Sequence, residues 1–314
     1  MESYINEEQM KIYIAPVQGH TDAAWRHYHN KFYGGGKYGY FTPFMRCEHG
    51  EIRQKDLRDF TNPLNNEINL EPQVIFRNVE ELDVLVRPLA GAGARVVNLN
   101  LGCPFPMQTA KGRGAAFISN MPEATKLPDV LARYPDVKFS VKMRLGMENP
   151  DEWKGIMDIL NSLELDNLYV HPRTARQKYS GELYLDSFAE ILERSNNPVV
   201  FNGDILTPED FHYVAKTFPA VNGVMTARGI LGRPSLAKEY EEGEWPKEVR
   251  INKMMEFHDE IFQYYSRILC GDSQILSKIK PFWEYAEAEI GRKAWKAIRK
   301  ATTIPKYRSA LALI

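Results

Sequence analysis

The chain has 314 residues, of which 44% are hydrophobic and 26% are charged, and its formal net charge at pH 7 is −1. This is the composition of an ordinary globular protein, and the length allows one large domain with an appendage. No apolar run reaches the roughly 18 residues of a membrane-spanning helix, so we expect no membrane segment.

Three cysteines, at positions 47, 103 and 270, are too few and too scattered for a disulfide framework, and they favour a reducing cytoplasm. Because there is no C-x-x-C pair and no dense His and Cys cluster, we expect no structural metal. Residues 1–8 have neither a basic stretch nor an apolar stretch, so we also expect no signal peptide.

Short apolar runs recur along the first three quarters of the chain. Several of them are too apolar to have a solvent-facing side, as is typical of parallel strands buried on both faces. We predict eight strands: Ile12–Ala15, Tyr38–Pro43, Gln73–Phe76, Val96–Asn100, Lys138–Met143, Leu168–His171, Val199–Asn202 and Gly223–Thr226.

Amphipathic stretches between these runs predict helices, while the stretch 51–60 reads as a loop with one helical turn. Alternation of eight strands with helices predicts an α/β fold of the (β/α)8 TIM-barrel type, and a doubly wound sheet is the alternative. The predicted helices are Asp22–Phe32, Val79–Ala92, Pro122–Arg133, Asp151–Leu163, Asp186–Arg194, Pro208–Phe218 and Arg233–Tyr240.

The last part of the chain has no strand pattern and predicts a helical bundle. It follows a charged stretch, Glu241–Pro246, that Gly and Pro interrupt. We therefore predict two domains, a catalytic barrel over residues 1–243 and an all-helical domain over residues 244–314. Residues 247–314 hold 13 Lys and Arg against 8 Asp and Glu, so the positive charge of the chain is concentrated there.

Polar residues follow most of the predicted strands. In a parallel barrel, the active site lies at the C-terminal ends of the strands, so these residues are expected to share one rim. They are Gln18, Gln73, Asn100 with Cys103, Lys142 with Arg144, His171 with Arg173, Asn202 with Asp204, and Arg228.

Cys103 stands between Gly102 and Pro104 after the fourth strand. A free cysteine is most often a small buried apolar group. A loop between Gly and Pro favours exposure instead, and an exposed thiol could act as a nucleophile or as an acid. The spacing leaves a buried thiol and a reactive one equally open, and no spacing identifies His171 as an activating base.

Lys142 and His171 end neighbouring strands. Either could stabilise an anionic ring or a phosphate, and either could be a structural ion pair or a hydrogen-bonded imidazole. The small residues of 202–204 and 226–232 could hold a phosphate after strands 7 and 8, although Asn-Gly is also an ordinary turn.

The basic residues near the C-terminus include a stripe on one helical face, formed by Arg292, Lys296 and Arg299. Such a stripe suits a phosphate backbone. The alternative is a solvated helix face.

Taken in order, the strand-end motifs resemble those of the dihydrouridine synthases, from about Ile14 to Pro234. The family's Ala-Pro-Met-x-Gly-x-Thr-Asp is similar to Ala15–Asp22, and its Asn-x-Gly-Cys-Pro with a later Gly-rich stretch is similar to Asn100–Pro104 with Gly112–Ala116. The other matching segments are Val141–Gly146, His171–Gly181, Asn202–Asp204, Ala227–Gly229 and, more loosely, Lys278–Trp283.

The resemblance implies a flavin enzyme that reduces uracil in tRNA, with FMN across the barrel mouth and NADPH as electron donor. Hydride would pass from flavin N5 to uracil C6, and Cys103 would protonate C5. The implied flavin-binding residues are Pro16, Val17, Gln18, Gln73, Lys142 and His171, with Asn202, Gly203, Asp204, Ala227 and Arg228 at the FMN phosphate. The implied substrate-binding residues are Asn100, Arg173, Arg176, Lys278, Lys280, Arg292 and Lys296.

Some positions depart from the family pattern. Val17 replaces Met, Ala227 replaces the first Gly of Gly-Arg-Gly, and Phe105, Pro106 and Met107 stand where polar or basic residues are more common. Three alternatives therefore stay open: an FMN barrel acting on a free pyrimidine, a reductase of ribosomal RNA, and an RNA-binding protein without chemistry.

Overall fold

The computed structural model describes residues 10–314. Residues 1–9, which carry the expectation of no signal peptide, lie outside the described part. Within it, the strands form one sheet in the order β4-β3-β6-β7-β8-β9-β10-β11-β1-β2-β5. Their bounds are β1 Lys11–Ile14, β2 Gly39–Phe41, β3 Met45–Glu48, β4 Glu51–Ile52, β5 Asn69–Glu71, β6 Gln73–Ile75, β7 Val96–Leu101, β8 Lys138–Arg144, β9 Leu165–His171, β10 Val199–Phe201 and β11 Gly223–Thr226.

The sheet closes into a barrel through the pairing of two strands, each of which is divided into halves by a proline. β2 and β3 are halves of one barrel strand on either side of Pro43, and β5 and β6 are halves of the next on either side of Pro72. β2 pairs with β5 and β3 pairs with β6, both in parallel. Between the two ladders, the Thr42 N–H donates to the Glu71 carbonyl at 3.1 Å.

A proline cannot donate to a ladder, so the pairing is interrupted at these points without opening the sheet. With the halves joined, eight parallel strands run around the barrel. The predicted (β/α)8 barrel is therefore confirmed, and the doubly wound alternative is wrong. β3 and β4 add an antiparallel hairpin that was not predicted.

Helices cover the outside of the barrel and form the whole C-terminal region. They are α1 Ala23–His29, α2 Gln54–Phe60, α3 Val79–Gly91, α4 Pro106–Thr109, α5 Met121–Ala124, α6 Leu127–Leu131, α7 Lys154–Asn161, α8 Leu185–Arg194, α9 Pro208–Thr217, α10 Arg228–Gly232, α11 Leu236–Glu242, α12 Lys247–Ile268, α13 Asp272–Ile279, α14 Glu287–Ile290, α15 Arg292–Lys300 and α16 Ile304–Leu311. Short helices of other types are Asn30–Gly34, Pro63–Asn65, Gly114–Ser119 and Lys280–Trp283.

Three segments differ from the predictions. The predicted helix Pro122–Arg133 is two short helices, α5 and α6, and each has a proline in its first turn, where a missing N–H costs nothing. The stretch 51–60 is β4 followed by α2. The helix predicted from Arg233 begins at Leu236, after the separate short helix α10.

From α12 to α16 the chain forms helices and no strand, which confirms the all-helical C-terminal region. This region packs on α1, where the ring of Phe257 lies 5.8 Å from Trp25 and 6.0 Å from His29. The predicted division at residues 243 and 244 falls between α11 and α12 and stays a prediction. Within residues 10–314, no helix combines the length and the apolarity needed to cross a membrane.

Candidate functional site

A cavity of about 530 Å³ opens at the C-terminal ends of the barrel strands. Its walls come mainly from the loops after β1, β7, β8, β9, β10 and β11, with Arg46 of β3, Gln73 of β6 and Tyr285 of the helical region. The cavity brings together thirteen of the predicted site residues: Pro16, Val17, Gln18, Gln73, Asn100, Cys103, Lys142, His171, Asn202, Gly203, Asp204, Ala227 and Arg228.

The backbone of Cys103 is held from two sides. On one side, Asn100 Oδ1 accepts hydrogen bonds from the N–H of Gly102 at 3.0 Å and of Cys103 at 2.9 Å. On the other side, the Ala115 N–H donates to the Cys103 carbonyl at 3.1 Å. Gly114 lies so close that an added Cβ would be 2.6 Å from the same carbonyl oxygen, and its φ is +61°. Glycine is therefore required there.

The Cys103 side chain faces the cavity but is only 7% exposed. Burial raises the pKa of this thiol, and the Phe105 N–H and the cations Arg144 and Lys142 offset only part of that rise. The thiol is therefore protonated at neutral pH. Of the two roles that the spacing left open, this environment favours an acid over a thiolate nucleophile.

Lys142 places an unpaired cationic group against the cavity. Its Nζ has no hydrogen-bond or ion-pair partner among residues 10–314. Burial, and next the charge of Arg144, lower the pKa of Lys142 to about 7. An anion bound beside it would favour its charged form.

His171 is a neutral imidazole, because burial, followed by the charges of Arg144 and Lys142, holds its pKa well below the usual value. Its Nε2 lies 3.3 Å from Nη1 of Arg173. A guanidinium can only donate, so Nε2 accepts and Nδ1 carries the proton. His171, which lines the cavity, is thus a neutral ring with its proton on Nδ1.

The corner formed by the loops after β10 and β11 suits an anion. The Asp204 carboxylate lies 2.9 Å from Arg228 and also contacts Arg173. The hydrogen bond from Arg173 is the main cause of the lowered pKa of Asp204. Among the described residues, the backbone N–H groups of Gly203 and Asp204 have no acceptor. An added Cβ at Gly229 would lie 2.0 Å from the Ile205 carbonyl oxygen, so this corner needs glycine.

Two of the residues assigned to the substrate, Arg173 and Arg176, do not line the cavity. Arg173 is buried and is engaged by Asp204 and by the Gly181 carbonyl, at 2.7 Å. Arg176 is exposed and pairs with Glu148 at 2.6 Å. Arg173 thus supports Asp204 and His171, and the substrate contact of both arginines stays a prediction.

The four basic residues assigned to RNA fall into two kinds. Lys278 pairs with Asp22 at 2.9 Å, and Lys280 donates to the carbonyls of Arg299 at 2.6 Å and Ala301 at 3.0 Å, at the end of α15. These contacts give both lysines a structural role. In contrast, Arg292 and Lys296 are exposed on α15. Binding of RNA by all four stays a prediction.

Several lining residues were missed as site residues. The Tyr179 ring lies 5.4 Å from the Arg144 guanidinium and 4.7 Å from that of Arg228, and so joins two loops over the cavity. Tyr179 falls inside the motif His171–Gly181, which could have identified it. No local pattern identifies Tyr285, which reaches the cavity from the helical region.

Known proteins with similar sequences are dihydrouridine synthases. A sequence model of the dihydrouridine synthase family (Dus) matches residues 13–310. The chain is 26% identical over 321 residues to the tRNA-dihydrouridine(16) synthase of Neisseria meningitidis, with 98% of the chain and 95% of that protein covered. A probable tRNA-dihydrouridine synthase of Treponema pallidum is 25% identical over 303 residues, covering 90% of the chain and 86% of the relative.

Some matches are shorter. The tRNA-dihydrouridine synthase B of Shewanella oneidensis is 32% identical over 149 residues, so the matched segment spans 47% of the chain and about half of that relative, 46%. Among solved structures, morphinone reductase is similar with a TM-score of 0.55 at 10% identity, covering 75% of the chain and 86% of the reductase. This likeness concerns the barrel fold. The family match over residues 13–310 establishes that the chain belongs to the dihydrouridine synthase family.

Proposed function

We propose that the chain reduces uridine in tRNA to 5,6-dihydrouridine, with FMN as cofactor, NADPH as electron donor and Cys103 as proton donor. The observation that carries the proposal is the protonated, immobilised Cys103 thiol at a cavity that also presents the Lys142 amine, which has no partner among the described residues. The names of the full-length relatives from Neisseria meningitidis and Treponema pallidum support tRNA as the substrate.

The chemistry of the lining residues fits FMN. Val17, Met225 and Ala227 offer apolar surface to a planar ring, and the Gln73 amide offers both a donor and an acceptor to its edge. Lys142, which has no partner among residues 10–314, would lie beside the anionic part of a reduced ring. Arg228 and the free N–H groups of the 203–204 turn would hold the phosphate.

When bound, FMN supplies the hydride that is delivered to uracil C6. The uracil C5=C6 bond is conjugated to the C4 carbonyl, so this addition leaves negative charge on C5 and the carbonyl oxygen. The Cys103 S–H bond then breaks as a C5–H bond forms, which saturates the base and leaves a thiolate. Arg144 and Lys142 are the cations near that sulfur, and they stabilise the thiolate until solvent reprotonates it.

A base in a stacked RNA cannot reach the cavity, so the target uridine must leave the stack. Phe105 and Met107, next to Cys103 at the mouth, are 48% and 74% exposed and offer apolar contact to neighbouring bases. On the outside, Arg292 and Lys296 of α15 would contact phosphates. A tRNA substrate also supports a cytoplasmic location. The helical region after residue 243 would then act as an RNA-binding domain beside the catalytic barrel.

The proposal is tested by purifying the chain and following dihydrouridine formation in tRNA from a strain that lacks the gene. We expect yellow protein that releases FMN on denaturation, and dihydrouridine at one defined position after NADPH is added. Cys103→Ala should keep its FMN and lose at least about 100-fold in turnover. A colourless wild-type protein, or full turnover by Cys103→Ala, would refute the corresponding part of the proposal.

A further inference from the structure

A chain of buried hydrogen bonds runs through the barrel interior to the Cys103 loop. The pairing register creates it, because Gln73 of β6 lies opposite Asn98 of β7, and Asn98 lies opposite Ser140 of β8. Asn100, two residues after Asn98, faces the same side of its strand. We call the following five residues the barrel hydrogen-bond chain: Glu71, Ser140, Asn98, Gln73 and Asn100.

Each hydrogen bond in this chain points the same way. Asn100 Nδ2 donates to Gln73 Oε1 at 2.7 Å, Gln73 Nε2 donates to Asn98 Oδ1 at 2.7 Å, and Asn98 Nδ2 donates to Ser140 Oγ at 2.7 Å. The Ser140 hydroxyl then donates to a carboxylate oxygen of Glu71.

The two ends of the chain impose this direction. At the cavity end, the N–H groups of Gly102 and Cys103 can only donate, so Asn100 must turn its oxygen towards them. At the interior end, the oxygen of Glu71 accepts from Ser140. Because each amide has one donor side and one acceptor side, fixing the two ends fixes the orientation of the Gln73 amide between them.

Glu71 is buried inside the barrel. Its second carboxylate oxygen accepts from the Tyr169 hydroxyl at 3.0 Å. Burial raises the pKa of Glu71 to about 7, and the hydrogen bonds from Ser140 and Tyr169 offset only part of that rise. Protonation does not reverse the chain, because a neutral carboxyl can still accept from Ser140 while its O–H donates towards Tyr169.

We propose that Glu71 is a positioning residue for the reaction. As the terminal acceptor of the barrel hydrogen-bond chain, it fixes the amide that Gln73 presents to the cofactor ring and the Asn100 side chain that holds the Cys103 backbone. It does so as an acceptor and not through its charge. The cofactor part of this inference rests on the proposed function, whereas the Cys103 part does not.

The test compares three substitutions that remove, break or keep the hydrogen bond between Ser140 and Glu71, together with one control. Glu71→Leu removes the terminal acceptor, and Ser140→Ala breaks the chain with Glu71 in place. Glu71→Gln keeps the chain, because its amide oxygen accepts from Ser140 and its N–H donates to the Tyr169 oxygen. Tyr169→Phe is the matched control, since it removes the other hydrogen bond to Glu71 and leaves the chain intact.

Two readouts are measured on folded proteins, checked by circular dichroism. The dissociation constant of FMN should rise about 10-fold in Glu71→Leu and Ser140→Ala, and stay within about twofold in Glu71→Gln and Tyr169→Phe. The alkylation rate of Cys103, followed by peptide mass spectrometry, should rise about threefold or more in the first pair only, because the loop is less restrained.

The second readout needs no FMN, so it decides the inference even if the wild-type chain binds no flavin and the proposed function fails. Unchanged FMN affinity and unchanged alkylation in Glu71→Leu and Ser140→Ala would overturn the inference. A Glu71→Gln variant that behaves like Glu71→Leu would overturn it too, since the effect of Glu71 would then depend on its charge and not on its role as an acceptor.

Discussion

Replacement of Gly114 by alanine should damage proton transfer while leaving the cofactor site intact. Gly114 has a φ of +61°, and an added Cβ would lie 2.6 Å from the carbonyl oxygen and 2.8 Å from the Cβ of Cys103. Ordinary contacts at a Cβ begin at 3.4 Å, so Cys103 must move by about 0.8 Å to accommodate the methyl group. The loop cannot move freely, because Asn100 holds its other side.

A displacement of about 1 Å in a catalytic group can cost about 100-fold in rate, so we expect a loss of that order in tRNA reduction. The strain of the left-handed backbone adds about 1 kcal/mol of destabilisation, since alanine disfavours positive φ. Gly112→Ala is the matched control: its φ is +74°, but its nearest neighbour, the Arg77 Cβ, lies at 3.9 Å. Both variants should lose stability through backbone strain, Gly114→Ala more so because of its overlap with Cys103, and only Gly114→Ala should lose activity.

The assay reduces the flavin without oxygen, adds tRNA and follows flavin reoxidation together with dihydrouridine formation. NADPH oxidation with oxygen as acceptor serves as an internal reference, and it should be the same in both variants. Equal tRNA reduction rates in Gly114→Ala and Gly112→Ala would refute the view that the position of Cys103 limits the rate.

Three further predictions concern the surroundings of the site. FMN affinity should fall as the pH rises above about 7, because burial lowers the pKa of Lys142 to about 7 and the side chain loses its charge there. FMN titrations of Lys142→Met, followed by fluorescence, should show a flatter dependence of the affinity on pH. Phe105→Ala should raise the KM for tRNA about 10-fold through lost stacking, whereas Tyr213→Ala, which removes a ring that is 53% exposed outside the cavity, should not. Lys280→Met should lower the Tm, because the carbonyls at the end of α15 lose their donor. Lys296→Gln should keep the Tm, and the number of ions released on tRNA binding, measured from the salt dependence of the affinity, should fall by about one.

The barrel could be predicted from the sequence because its strands are short apolar runs with helical patterns between them. The split strands could not. β5 ends in Glu71, a charged residue that gives no strand signal, and its pairing with β2 is a contact between distant segments. Pro43 and Pro72 can be recognised as breaks within a barrel strand only once the pairing of the strand halves on either side of them is known.

Most of the candidate site could be predicted because polar residues at the ends of parallel strands meet on one rim. What each residue contacts could not be. The sequence does not distinguish Lys278, Lys280 and Lys296. In the structure, however, Lys278 is engaged by Asp22 and Lys280 by the α15 carbonyls. Asn100 was assigned to the substrate on resemblance alone, while its oxygen is engaged by the Cys103 loop.

Tyr285 has a consequence for how this family can be re-engineered. It belongs to the helical region but forms part of the cavity wall, and its neighbour Glu284 accepts from His20 of the first barrel loop at 2.9 Å. A chimera that exchanges the region after residue 243 to redirect the enzyme to another RNA position would also replace a wall of the reaction chamber. Such grafts should therefore keep Glu284 and Tyr285, so that the choice of RNA is altered independently of the chemistry.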